Sequence, residues 1–156
     1  MLNVKLIVLG NLKEKYLREA QSEYVKRLSA FCNLKIIELS EVKTGESQAL
    51  VEKALKKEAQ MIKSAIGDSF AIPLCIEGAK MSSEKLSKFI QEKTVTGCSS
   101  IAFIIGSSFG LDSEIKKMGK TLSVSDMTFP HQLFRIMLLE QIYRAFMIEK
   151  GTKYHK

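Results

Sequence analysis

The chain has 156 residues, 46% of them hydrophobic and 26% charged, with only two prolines and nine glycines. A single domain of this length buries roughly 70% of the surface its unfolded chain exposes, so it needs no disulfide or metal staple, and its mean hydropathy of zero excludes collagen-like, disordered and membrane-spanning classes. Lysine and arginine number 24 against 17 aspartates and glutamates, a net charge of +7 that suits a polyanion such as RNA, or an anionic surface, and equally describes a well-solvated basic protein.

Val4–Gly10 (VKLIVLG) predicts a mostly buried strand closed by a glycine. Tyr16, Leu17, Ala20, Tyr24 and Leu28 then recur every three or four residues, with Lys13, Lys15, Arg18, Lys26 and Arg27 on the remaining surface, which predicts an amphipathic helix. Leu34–Leu39 predicts the second strand, and Ser40–Ser47 an exposed loop whose Ser47 caps a helix over Gln48–Ile66. A third strand is expected over Phe70–Ile76, with Pro73 where no ladder donor is needed and Glu77–Lys80 as the loop beyond it. A helix over Ser83–Lys93 precedes the apolar strand Ser100–Ile105. After it come the loop Gly106–Gly110, a short helix Asp112–Met118, a short strand Thr121–Val124 and the loop Ser125–Pro130. The last helix, His131–Glu149, has Pro130 at its first turn, where a missing N–H does no harm. Strands alternating with helices predict an α/β fold, a mostly parallel sheet flanked by helices, in one domain over 1–156.

Cys32, Cys75 and Cys98 are odd in number and far apart, so they read as buried free thiols of a reducing cytosol. His131 and His155 complete no zinc-ligand spacing with them, and no metal is expected. The apolar run Leu6–Leu9 is too short for a signal peptide. The last helix is apolar on more than one face, which predicts either a central position or a two-fold dimer. The dimer is expected through Phe134, Leu138, Ile142 and Phe146.

In open α/β sheets ligands bind beyond the carboxyl ends of the strands, so the loops Glu77–Lys80, Gly106–Gly110 and Ser125–Pro130 are where a site belongs. Gly106–Gly110 matches neither a dinucleotide fingerprint nor a P-loop. His131, at a helix start, fits a hydrogen-bonding or basic role and equally a capping one. The tail Gly151–Lys156 holds an aromatic ring, an imidazole and two cations, a set able to stack on a base and hold a phosphate, although short charged tails are commonly just frayed.

Several segments together carry a resemblance over nearly the whole chain. They are Gly10 with Lys13-Glu14-Lys15-Tyr16, Leu74 with Gly78, Ile105-Gly106 with Gly110-Leu111, Met127 to Gln132, Glu140 to Ala145, and Tyr154-His155-Lys156. In this order they resemble the RlmH-type ribosomal large-subunit RNA pseudouridine N3-methyltransferases, minimal members of the SPOUT methyltransferases. The resemblance implies a SPOUT-type fold with a C-terminal trefoil knot that cradles S-adenosylmethionine, and a homodimer that completes the site. Nothing in the periodicity shows a knot, and general topology rules disfavour one.

Carried over position by position, the resemblance implies a cofactor site of Leu74, Gly106, Ser125, Asp126, Met127, Thr128, Phe129 and Pro130. It implies catalytic roles for His155, Tyr154 and Arg144, with His131 the other candidate, and large-subunit RNA, within an assembled ribosome, as partner. Ser107 stands where the family frequently has a second glycine, which makes the shape of that loop a point for the structure to decide. Physically, adenine needs a flat apolar slot with main-chain donors at its edge, which Leu74, Met127 and Phe129 with their loops provide. A non-catalytic ribosome- or RNA-binding dimer is the reading from another class.

Overall fold

The structure is a computed structural model and describes residues 1–156. Five strands, β1 (Leu2–Leu9), β2 (Cys32–Leu39), β3 (Phe70–Lys80), β4 (Ser100–Ile105) and β5 (Leu122–Ser123), form one parallel sheet in the order β2-β1-β4-β3-β5. Between them run α1 (Lys15–Leu28), α2 (Gln48–Ile66), α3 (Ser83–Val95) and α4 (Ser113–Lys116), and α5 (His131–Glu149) closes the chain. Side chains alternate across the pleat, so Val4, Leu6 and Val8 pack with α1, α3 and α5 on one face while Ile7 and Leu9 pack with α2 and α4 on the other. Covering both faces is what makes the central strands read as unbroken apolar runs.

The predicted elements are all present, and the differences have local causes. Pro73 is the last residue of β3 paired with β4, since a residue without an N–H cannot continue the ladder. The strand does not stop there. Leu122 of β5 faces both Leu74 and Ala79, so the expected loop Glu77–Lys80 belongs to β3, and the residues between Leu74 and Ala79 form a bulge beside β5. The short helix α4 begins after Asp112, whose carboxylate accepts the Glu114 N–H at 3.1 Å. It gives way to Gly119, where the chain passes against β3 and the Lys120 N–H donates to the Ala71 carbonyl at 3.0 Å.

Of the residues expected to form a dimer interface, Leu138, Ile142 and Phe146 do not reach the surface. All three are buried in the chain's own core, where α5 lies between α1 and α3 on the sheet. Of the four, only Phe134 is partly exposed, and it stacks on Phe129 with ring centroids 6.3 Å apart. A central position therefore accounts for the apolar inner faces of α5. Its outer stripe carries Leu133, Met137, Glu140, Arg144 and Ile148, none of them buried.

Candidate active site

At the carboxyl ends of β3, β4 and β5 lies a cavity of about 270 Å³. Six of the eight positions expected to hold a cofactor line it, namely Leu74, Gly106, Ser125, Met127, Thr128 and Phe129, and His131 joins them. The bulge of β3 contributes Cys75, Ile76 and Glu77, so the register shift builds one wall. The Ser125 hydroxyl accepts the Met127 N–H at 3.0 Å and shapes the 125–130 loop, which leaves Met127 at the mouth, 73% exposed. Asp126 and Pro130 are not part of the lining. The Asp126 carboxylate pairs with Lys80 at 2.5 Å, and Pro130 precedes α5, its carbonyl accepting the Phe134 N–H at 2.9 Å.

Gly106 is required by close packing, because a Cβ there would lie 2.4 Å from the Gly110 carbonyl oxygen. The loop from Gly106 to Gly110 is pinched shut by a bridge between Ser107 and Gly110. Ser107 has a role of its own. Its buried hydroxyl donates to Glu58 of α2 at 3.0 Å, and Glu58, also buried, accepts the Val42 N–H at 2.9 Å. The serine thus ties the loop to α2 in a way that glycine cannot.

Arg144, Tyr154 and His155 form a second cluster. The Arg144 guanidinium donates to Glu140 at 2.7 and 3.0 Å and meets His155 Nδ1 at 3.2 Å. His155 Nε2 lies 2.7 Å from Glu84 of α3, and this hydrogen bond holds the Glu84 carboxyl below its ordinary range. The Tyr154 hydroxyl donates to Glu140, as does Tyr24 of α1 at 2.6 Å. These residues do not line the cavity. At about 1.5 Å per residue, Arg144 sits roughly 20 Å along α5 from His131.

Burial first, then the hydrogen bond to Glu140, pushes the Tyr24 hydroxyl up to about 12, and the same causes raise Tyr154. The protonated form is the stabilising one, so the contribution is complete below the ordinary tyrosine value of about 10 and is lost as pH rises through the folded-state value. An ultraviolet titration is expected to show a tyrosinate component with a midpoint of about 12 that Tyr24→Phe removes. Complete ionisation by about pH 11 in the folded protein would contradict it.

Residues 2–155 match a family model described as "Predicted SPOUT methyltransferase". The chain belongs to the SPOUT methyltransferase family. It is 50% identical to a relative from Clostridium acetobutylicum and 52% identical to one from Streptococcus suis, each match covering 99% of this chain and all of the relative. Both relatives are named Ribosomal RNA large subunit methyltransferase H. Among solved structures, the tRNA (m1G37) methyltransferase of Aquifex aeolicus superposes with a TM-score of 0.55 at 14% identity, over 90% of this chain and 69% of that one. That likeness is one of fold.

The structure adds three features of this SPOUT domain that the sequence did not disclose. Glu77 and Lys116 pair at 2.5 Å in the cavity wall, and the hydrogen bond from Lys116 keeps Glu77 below the ordinary carboxylate range. Glu58 anchors the Gly106 loop, as described above. Arg135, 3% exposed, donates to Glu38 at 2.7 Å, to the Gly10 carbonyl at 3.1 Å and to Gln21 at 3.3 Å. The one signal for it in the sequence is a charged residue between Phe134 and Ile136 inside an apolar helix.

Proposed function

We propose that this SPOUT enzyme uses S-adenosylmethionine to methylate N3 of a pseudouridine in large-subunit ribosomal RNA. The observation that carries the proposal is full-length identity of about one half to relatives named for that RNA, in a chain where six of the eight expected cofactor residues line one cavity. The cavity fits the donor: Leu74 and Phe129 give it apolar sides, the 125–128 main chain gives polar edges, and the Glu77 carboxylate is a ready acceptor for ribose hydroxyls. When bound, S-adenosylmethionine supplies a methyl group already activated by its sulfonium charge. The chain must hold the acceptor nitrogen in line and help to remove its proton.

The same reading includes a homodimer. Within one chain His131 and the Arg144–Tyr154–His155 cluster lie at opposite ends of α5, and a two-fold crossing of antiparallel α5 helices brings one partner's tail to the other's cavity. The exposed Leu133 and partly exposed Met137 on the outer stripe of α5 suit such a contact. It also includes the family's knot. The close approach of the Gly119 backbone to Ala71, and of Gly78 to Leu122, supports tight threading of the 106–130 segment. The net charge of +7 fits the RNA partner. The three cysteines are free, which suits a cytoplasmic enzyme, but only Cys32 is buried, Cys75 and Cys98 being partly exposed against expectation; no helix is long and apolar enough to cross a membrane.

Calorimetry tests the cofactor directly. S-adenosylmethionine is expected to bind, and Gly106→Ala to abolish binding through the collision with Gly110. Absence of binding at millimolar concentration would leave the non-catalytic RNA-binding dimer.

A further inference from the structure

We propose that a second cavity, of about 280 Å³, receives the acceptor nucleotide. This assignment rests on the methyltransferase reading and extends it to the substrate. The cavity lies beyond the carboxyl ends of β1 and β4, with Gly10 and Asn11 on one side and Ser107 and Ser108 on the other. β1 and β4 are neighbours in the sheet, yet the chain leaves β1 toward β2 and leaves β4 toward β5, in opposite directions. Such a point of reversal opens a crevice in which open α/β sheets bind ligands.

The second cavity adjoins the first. The two share Ile105, Ser107, Ser108 and His131 as a common wall. Direct methyl transfer needs donor and acceptor in adjoining spaces that meet at reacting distance, and these two adjoin at one loop and the first residue of α5.

The lining chemistry differs as an acceptor site requires. Where the first cavity has apolar sides, this one is walled by Lys13, Gln132, Asn11 and the Ser108 hydroxyl over a floor of Arg135. A uracil-like ring presents carbonyl acceptors and imide N–H donors, and its nucleotide carries a phosphate. The Gln132 carbonyl accepts the Lys13 N–H at 2.9 Å, which locks the loop after β1 to α5 and leaves the Gln132 amide NH₂ to donate to a ring carbonyl. Lys13, exposed at the rim, is placed for the phosphate. The ion pair of Arg135 with Glu38 and its bond to the Gly10 carbonyl hold the floor rigid before any ligand arrives. Glu41, the one carboxylate in the lining, is held by the Ser108 hydroxyl at 3.2 Å.

The test uses uridine 5′-monophosphate as probe on the dimeric protein saturated with S-adenosylhomocysteine, followed by amide chemical shifts. Shifts at Gly10, Asn11, Lys13 and Gln132 that leave the 125–129 loop in place are expected. Shifts confined to the cofactor loops, or none at these four residues at tens of millimolar nucleotide, would overturn the assignment. The double variant Lys13→Ala/Gln132→Leu is expected to keep S-adenosylmethionine affinity within about twofold and to lower kcat/KM for ribosomal RNA by roughly 30-fold or more. A wild-type kcat/KM in that variant would overturn it as well. If the unaltered protein transfers no methyl group to ribosomal RNA, the proposed function fails, while the nucleotide shifts still decide whether this cavity binds a nucleotide.

Discussion

Removal of Tyr154, His155 and Lys156 is expected to lower methyl transfer by on the order of 10² or more, while fold and S-adenosylmethionine affinity stay close to those of the intact protein. The tail's contacts lie outside the core: Tyr154 reaches the partly buried Glu140 and stands edge-on to Tyr143, and His155 reaches the exposed Glu84, a surface pair of the kind that adds little to stability. None of the three lines the cavity of about 270 Å³ proposed for the cofactor. A large effect on rate without one on binding is what a tail working at the other protomer's site would give, with Tyr154 stacking on the base and His155 accepting a proton or hydrogen-bonding the ring.

Mixing chains decides this point. A tail-less protomer keeps an intact cofactor cavity, and a Gly106→Ala protomer keeps an intact tail. Each homodimer is expected to be nearly inactive. Random exchange makes half the dimers mixed, each with one complete site, and should restore roughly a quarter of the wild-type rate. Failure of mixed dimers to recover activity would place the tail in its own protomer's chemistry or outside the mechanism, with His131 then the better candidate.

Gly119→Ala is expected to destabilise the protein by about 2–5 kcal/mol, because a left-handed backbone strain and an overpacking penalty act together. Gly119 has φ +56°, and a Cβ there would fall 1.9 Å from the Ala71 carbonyl oxygen, main chain that cannot move without breaking β3. For a domain of this size the shift in melting temperature is roughly 5–15 °C. Gly151→Ala is the control, since its φ of +66° is similar and nothing lies within 4 Å of its Cβ position; it should show the strain alone. Equal losses in the two variants, measured by denaturant unfolding, would show that the packing of this segment against β3 is not tight.

Much of the fold is legible in the sequence because burial on both sheet faces writes long apolar strands, and amphipathic helices write their own period between them. What escapes is set by contacts between distant segments. Glu77-Gly78 has turn composition, yet Leu122 draws the strand on past it. Leu138, Ile142 and Phe146 look like surplus apolar area until α1 and α3 are seen to cover them. That Leu74, Gly106 and Met127 to Phe129 line one cavity is legible, since loops after parallel strands converge whatever their sequence. Glu58, Glu77 and Arg135 are not, because an ion pair or tether is defined by its partner, and the partners Ser107, Lys116 and Glu38 lie 49, 39 and 97 residues away.

The most direct measurement is nucleoside mass spectrometry of large-subunit RNA from ribosomes lacking the modification, after incubation with the dimeric protein and S-adenosylmethionine. One added methyl group per RNA is expected, on N3 of a pseudouridine, and none when the protein carries Gly106→Ala. No methyl incorporation by the intact protein, or a methyl group on a different base or atom, would overturn the proposed function.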